Sequence, residues 1–321
     1  MDAASGTHEL RVRSMALEAE DVLSIVLETV DGRDLPEFEY GSHIDFMMRP
    51  DLIRQYSLCG QSNLRSQWTV AVLLETESRG GSTYVHEVLR PGMTVTVAGP
   101  RSNFKLVDAE RYLFIAGGIG ITPLLPMVRH VAAEGKDWKM LYGGRRRASM
   151  AFVNELSQLG PRVTIAPEDE CGLLDLKGAI DSLASDAAVY CCGPEGLISA
   201  VEAMCATLGR PAPRVERFGA RPKSDDEDVN DANESFDIVL SMSGQRLTIP
   251  ADKSIIEVLK ESGYSVVTSC EEGYCGTCET VVVSGIPDHR DEYLDPEERA
   301  SNERMMICCG RSKTPELVLK L

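Results

Sequence analysis

Three cysteines crowd into nine residues. Cys270 to Cys278 reads Cys-Glu-Glu-Gly-Tyr-Cys-Gly-Thr-Cys, with Cys275 in its interior. A fourth, Cys308, follows thirty residues after Cys278. The spacing C-x4-C-x2-C…C is that of plant-type [2Fe–2S] sites. Iron takes soft, deprotonated sulfur, so one compact loop must aim several thiolates inward. Gly273 and Gly276 allow the sharp turns that such a loop needs. The competing reading is a structural zinc site or free thiols. Zinc draws its cysteines in C-x2-C pairs, and only Cys275 and Cys278 form one. The pattern therefore predicts an iron–sulfur cluster on Cys270, Cys275, Cys278 and Cys308, with the adjacent Cys309 as the rival for the fourth place.

Other stretches suit phosphate and nucleotide chemistry. Arg79-Gly80-Gly81-Ser82-Thr83 offers backbone N–H groups and hydroxyls to a phosphate, and Arg54 could add charge. Its plain alternative is a tight loop before a helix starting near Thr83. Arg54-Gln55-Tyr56-Ser57-Leu58 taken alone is an ordinary barrel strand. Ala116-Gly117-Gly118-Ile119-Gly120-Ile121-Thr122-Pro123 follows an apolar run and opens a helix. Thr122 suits the N-cap and Pro123 the first helical position. A helix start behind a glycine-rich turn binds a pyrophosphate. The alternative is a close strand–helix packing turn. The motif is not G-x-G-x-x-G. Tyr190-Cys191-Cys192-Gly193-Pro194-Glu195 ends another apolar run, where a parallel sheet lines its ligand crevice. Cys191 fits a buried, inert thiol.

Several elements must position these residues. Residues 1–107 hold about six short runs, Leu10–Ala16, Val22–Thr29, His43–Met48, Gln55–Leu58, Trp68–Leu74 and Met93–Val97. They are punctuated by Gly, Pro and Asp, as in a small antiparallel barrel whose last strand leaves by the turn Gly99-Pro100-Arg101-Ser102-Asn103-Phe104. Residues 108–221 alternate buried-strand runs with helical stretches, as in a doubly wound α/β domain. The strand runs are Tyr112–Ala116, Lys139–Tyr142, Val163–Ala166 and Ala188–Cys192. The helices include Phe152–Leu159 and Glu195–Leu208. Residues 222–235 are a self-repelling acidic linker. In 236–321 a hairpin precedes a helix with the capping box Ser254/Glu257, which Gly263 stops. The cysteine loop and a strand at Thr280–Val283 follow.

The chain has 321 residues and a net charge of −17. That charge argues against nucleic acid and anionic membranes as partners. No run of eighteen apolar residues suggests a membrane span. The start, Met-Asp-Ala-Ala-Ser, lacks a secretory pattern. The ten cysteines therefore read as cluster ligands plus reduced thiols in a cytoplasmic setting.

Together these motifs resemble the ferredoxin–NADP reductase superfamily. More narrowly they resemble the phthalate dioxygenase reductase type, which includes vanillate demethylase and carnitine monooxygenase reductases. The resemblance runs from about residue 10 to the end. It includes Arg-Gln-Tyr-Ser-Leu, Gly-Gly-Ser, Ala-Gly-Gly-Ile-Gly-Ile-Thr-Pro, Cys-Gly-Pro, Glu-Arg-Phe-Gly-Ala, Pro287-Asp288-His289-Arg290-Asp291 and Leu317-Val318-Leu319. It implies a multidomain fold: an antiparallel flavin-binding β-barrel, a doubly wound nucleotide-binding α/β domain and a ferredoxin-like β-grasp domain.

By the same resemblance Arg54, Gln55, Tyr56 and Ser57 border FMN, and Gly80, Gly81, Ser82 and Thr83 hold its phosphate. Gly117, Gly118, Gly120, Thr122, Cys192, Gly193 and Pro194 face the nicotinamide dinucleotide. Thr122 and Cys192 then lie near the reacting rings, and Phe218 lies against the flavin. Arg145 begins a run of three arginines where the family commonly has one. A 2′-phosphate site, and so NADPH, stands as the alternative to NADH. The implied activity is electron transfer from NADH through FMN and [2Fe–2S] to a separate Rieske non-haem iron oxygenase. A missing acid–base triad is in keeping with cofactor chemistry. A self-contained reductase of small acceptors and a redox-sensing module are the competing functions.

Overall fold

The computed structural model describes residues 6–49, 52–184, 186–219 and 233–321. The chain forms two compact units, Met1–Arg217 and Phe218–Leu321.

The first unit contains two sheets. Strands β1 (Thr7–Ala19), β2 (Val22–Thr29), β3 (Ser42–Arg49), β4 (Leu52–Ser57), β5 (Gln67–Leu73) and β6 (Thr94–Ser102) form one antiparallel sheet, with the short helix α1 (Gly81–Glu87) before β6. Their order is β4-β3-β6-β1-β2-β5. An isolated bridge between Leu58 and Val70 joins the two outer strands, which closes the sheet into a barrel. Alternation sends Leu10, Val12, Ile25, Leu27, Ile44 and Phe46 inward to one core. Helix α1 starts at Gly81, two residues before the expected Thr83, because Gly80 takes a left-handed conformation (φ 91°) that turns the chain into it.

The second sheet is parallel. It comprises β7 (Arg111–Gly117), β8 (Asp137–Gly144), β9 (Val163–Pro167), β10 (Ala188–Cys192) and β11 (Arg214–Glu216), in the order β11-β10-β7-β8-β9. Helices α2 (Ile121–Ala133), α3 (Val153–Gln158), α4 (Glu168–Cys171), α5 (Leu176–Asp181) and α6 (Glu195–Thr207) connect them. The order reverses between β7 and β10, so the ligand crevice belongs at their carboxyl ends. Strand β11 escaped the sequence reading because three residues with one apolar side chain carry no period.

The two sheets share a core. Val22, Cys59, Ala71 and Phe104 from the barrel side pack with Phe114, Leu124, Met127 and Tyr142 from the α/β side. Polar contacts reinforce this junction. Arg129 donates to the Cys59 carbonyl at 2.6 Å and pairs with both Glu155 oxygens at 2.6 and 2.7 Å. Tyr40 and His130 stack at 4.4 Å.

The second unit is a five-stranded sheet, β13-β12-β18-β14-β16. Its strands are β12 (Phe236–Leu240), β13 (Arg246–Ile249), β14 (Glu279–Ser284), β16 (Arg304–Met306) and β18 (Glu316–Leu319). A small ladder pairs β15 (Pro287–Asp288) with β17 (Arg311–Ser312). Helix α7 (Ile255–Glu261) carries the expected capping box, with Ser254 and Glu257 reciprocally bonded. Helix α8 (Pro296–Ser301) has a second box, Asp295 with Glu298. The closing strand β18 lies centrally, parallel to β12 and antiparallel to β14. Of the acidic stretch 222–235, residues 222–232 lie outside the described residues. Its end is not loose: Arg311 donates to the Glu234 carbonyl at 3.0 Å, and Arg290 donates to the Asn233 side chain at 2.8 Å.

Candidate functional site

The cysteine loop lies between α7 and β14. Cys270, Cys275, Cys278 and Cys308 are all buried. Gly273 and Gly276 both have positive φ, 84° and 72°. A Cβ on Gly276 would fall 2.2 Å from the Tyr293 ring, and one on Gly273 would fall 2.5 Å from the Cys309 sulfur. Only glycine therefore lets this loop close.

The four thiols form one hydrogen-bonded group. Cys270 is held far down, to about 2, by hydrogen bonds first from the Cys275 thiol and then from the Cys308 thiol. The Glu272 N–H adds a donor to the Cys270 sulfur at 3.4 Å. Cys278 is lowered chiefly by the Cys308 thiol. Cys275 and Cys308 are raised because they hold the protons of these bonds. Four buried cysteines linked in one hydrogen-bonded group, two of them shifted toward the thiolate, are the soft donor set an iron–sulfur cluster takes. Among the described residues no three His, Cys, Asp or Glu side chains converge as a single metal ion requires. Cys309 is half-buried, against Gly273, and touches the group through Cys308.

In the first unit, β7 ends in a 3-10 turn, Gly118–Gly120, which runs directly into α2. Gly120 is the N-cap, which corrects the expected place of Thr122. The early start leaves Thr122 inside the first turn, where its hydroxyl donates to the Ile119 carbonyl at 3.0 Å. Thr122 is buried. The turn after β10 presses against this one. A Cβ on Gly117 would meet Pro194 at 2.8 Å, and one on Gly193 would meet Gly117 Cα at 2.9 Å. Gly118 (φ 54°) instead has open space where its Cβ would point. The structure thus brings Gly117, Gly118, Gly120, Thr122, Cys192, Gly193 and Pro194 to one edge of the parallel sheet.

Cys192 is fully buried and its thiol is raised well above its usual range, by burial first and then by Glu216. Glu216 pairs with Cys192 in the β10–β11 register. Its residue is half-buried, but its Oε2 is enclosed without a hydrogen-bond partner. Burial pushes its carboxyl up to about 8. Glu216 was missed as a site residue because only its place in β11 brings it beside Cys192.

Arg145, Arg146 and Arg147 follow β8 and are exposed. Arg146 donates to Glu20 at 2.6 Å, and Arg147 grips both Glu170 oxygens at 3.0 and 2.9 Å. Glu168, Asp169 and Glu170 form the first turn of α4, just beyond β9.

On the barrel, Arg54 and Tyr56 alternate with Gln55 and Ser57 along β4, so the four side chains divide between two faces. Arg54 reaches over α1: a Cβ on Gly81 would fall 2.5 Å from its Cγ. Its guanidinium donates to the Arg79 carbonyl at 2.7 Å. Tyr56 meets Phe46 edge-on at 5.9 Å. Gln55 donates to Asp45 at 3.0 Å, beside the Asp45–Arg101 ion pair. Ser78, which the sequence reading passed over, holds the glycine loop together. Its hydroxyl accepts from Gly80 N–H at 3.1 Å, Ser82 Oγ at 2.9 Å and Thr83 N–H at 3.5 Å. One guanidinium beside this set of donors suits a phosphate. Phe218 opens the second unit and is 41% exposed.

A glycine turn at the edge of a parallel sheet, a barrel sharing its core, and a buried four-cysteine loop define an oxidoreductase of the electron-transfer class. Residues 114–203 match the oxidoreductase NAD-binding domain family, and residues 238–313 match the 2Fe-2S iron-sulfur cluster binding domain family. Tetrachlorobenzoquinone reductase of Sphingobium chlorophenolicum is 38% identical, over 98% of both chains. Vanillate O-demethylase oxidoreductase of Pseudomonas sp. (strain HR199 / DSM 7063) is also 38% identical, over 98% of this chain and 99% of its own. The crystal structure of phthalate dioxygenase reductase, described as modular for electron transfer from pyridine nucleotides to [2Fe–2S], superposes with a TM-score of 0.72 at 34% identity, covering 98% of each chain. The chain belongs to the phthalate dioxygenase reductase-type family. No helix among the described residues is long and apolar enough to cross a membrane.

Proposed function

We propose that this protein is the reductase component of a two-component oxygenase, carrying electrons from NADH through FMN and a [2Fe–2S] cluster to a separate Rieske-type terminal oxygenase. The observation that carries this reading is the buried nest of Cys270, Cys275, Cys278 and Cys308, in the same chain as the paired glycine turns around Cys192. The bound flavin supplies the conversion of a two-electron donor into single electrons. The protein binds, orients and shields.

In this reading Arg54, Gly80, Gly81, Ser82 and Thr83 hold the FMN phosphate, and Tyr56 and Ser57 border its ring, with Gln55 bracing the strand. Gly117, Gly118 and Gly120 receive the nucleotide pyrophosphate, while Thr122, Cys192, Gly193 and Pro194 line the nicotinamide end. NADH is favoured over NADPH because Arg146 and Arg147 already hold carboxylates, and Glu168, Asp169 and Glu170 repel a 2′-phosphate. Arg145 then serves the dinucleotide generally.

A second reading, reduction of a quinone, is favoured by the name of one relative. NADH-driven reduction of cytochrome c by the full chain and by Cys275→Ser separates the two. The oxygenase-reductase reading expects Cys275→Ser to keep flavin bleaching by NADH and to lose cytochrome c reduction. Undiminished one-electron transfer without the cluster overturns it. Chromatography of the released flavin should yield FMN, and FAD would overturn that assignment.

A further inference from the structure

Asp291 lies outside the cysteine loop, yet its surroundings tie it to that loop. Its side chain has no solvent exposure. One carboxylate oxygen, Oδ2, accepts the backbone N–H groups of Tyr293 at 3.2 Å and Leu294 at 2.8 Å. The other, Oδ1, faces His289 Nδ1 at 3.7 Å, and neither atom has a hydrogen-bond partner. Arg299 donates to the Asp291 carbonyl from the outer side. A buried carboxylate is expensive unless bonded, so this turn is held in one shape.

That turn presses on the loop at two points. The N–H of Glu292, the residue after Asp291, donates to the Gly273 carbonyl at 3.1 Å. A Cβ on Gly273 would fall 3.0 Å from Asp291 Cα, and Tyr293 covers Gly276. The Gly273 carbonyl shares its peptide with the Tyr274 N–H, and the Glu272 N–H lies one peptide earlier; both N–H groups donate to the Cys270 sulfur. A continuous line therefore runs from the Asp291 carboxylate through Glu292 N–H and Gly273 to the donors on Cys270.

We propose that Asp291 is a positioning residue for the cluster: by fixing the 291–294 turn against Gly273, it aims the Glu272 and Tyr274 N–H groups at the Cys270 sulfur and thereby raises the cluster's reduction potential. Reduction adds negative charge at the sulfurs, and N–H donors stabilise the reduced form more than the oxidised one. Loosening the turn weakens those bonds and lowers the potential. The inference rests on the cluster reading of Cys270.

The test is a redox titration of the full holoprotein, wild type against Asp291→Ala and Asp291→Asn, followed by the reduced-cluster EPR signal. Iron and acid-labile sulfide in the wild type check the cluster reading separately. Asp291→Ala should keep NADH-driven flavin bleaching and its iron. Its reduced-to-oxidised ratio at fixed potential should fall about tenfold, a shift of about 59 mV for one electron. Asp291→Asn keeps an acceptor oxygen and should recover most of the shift. If Asp291→Ala binds no iron, Arg299→Ala, which releases only the outer grip, is read in its place. A wild-type potential and EPR signal in the iron-loaded variant overturns the proposal, as does an equal shift in Asp291→Asn and Asp291→Ala.

Discussion

Gly120 sits so close to Cys192 that a Cβ on Gly120 would fall 2.3 Å from the Cys192 carbonyl oxygen. The start of α2 and the end of β10 thus meet backbone to backbone, with no flexible side chain between them to give way. Gly120→Ala must push the two turns apart. A displacement of about 1 Å at a reacting site costs on the order of 10²-fold in rate. Steady-state kcat/KM for NADH should fall on that order. Dithionite reduction of the flavin and the iron content should be unchanged. Full NADH activity in Gly120→Ala would show that the turn does not receive the nucleotide.

The fourth sulfur is tested by a pair of variants. Cys308 is buried and bonds to both Cys270 and Cys278, while Cys309 is half-buried beside Gly273. Cys308→Ser should lose the cluster and keep flavin reduction by NADH. Cys309→Ser should keep both. Iron analysis and visible spectra decide between them, and the opposite pattern would transfer the ligand role to Cys309.

Much of this was legible in the chain because strong local signals coincide with tertiary need. The apolar run Tyr112–Ala116 reads as a strand covered on both faces, and its five residues are all buried in β7. The capping box at Ser254 and the stop at Gly263 are local chemistry, and they stand as read. Thr122 misled because its type suits an N-cap, whereas the preceding 3-10 turn had already started the helix at Gly120. Glu216 and Asp291 stand in motifs that carry the resemblance, but their roles were illegible for another reason. Each matters through what a neighbouring strand or turn brings beside it, and no spacing in sequence encodes that.

Glu216 gives a pH dependence with a definite sign. Burial raises its folded-state pKa to about 8, against roughly 4.3 for an unperturbed glutamate. Below the lower value both states hold the proton and the contribution is constant. Between the two the folded chain holds the extra proton, so stability falls as pH rises and is lost fully above the folded pKa. Glu216→Gln keeps the neutral shape and removes the titration. Melting temperatures from pH 5 to 8.5 should decline in the wild type and be flatter in Glu216→Gln. Parallel curves would mean that Glu216 ionises normally.

Nucleotide choice turns on Arg147 and Glu170. Hydrogen bonds from Arg147 lower the Glu170 carboxyl, so it is ionised at neutral pH and occupies the guanidinium bidentately. Both side chains are nearly half exposed, at 48% and 46%, so solvent screens the pair and its hold is modest. Glu170→Gln should therefore free Arg147 for a 2′-phosphate without unfolding α4. The ratio of kcat/KM for NADPH to that for NADH should rise about fivefold, the scale of one exposed ion pair. Adding Arg147→Ala should return the ratio to its starting value, because the gain requires the released guanidinium. Binding of 2′-phospho-AMP against 5′-AMP, measured by calorimetry, reads the same preference without any redox step. An unchanged ratio in Glu170→Gln, or a gain that survives Arg147→Ala, would place the discrimination elsewhere along the β8 edge, with Arg145 the next residue to vary.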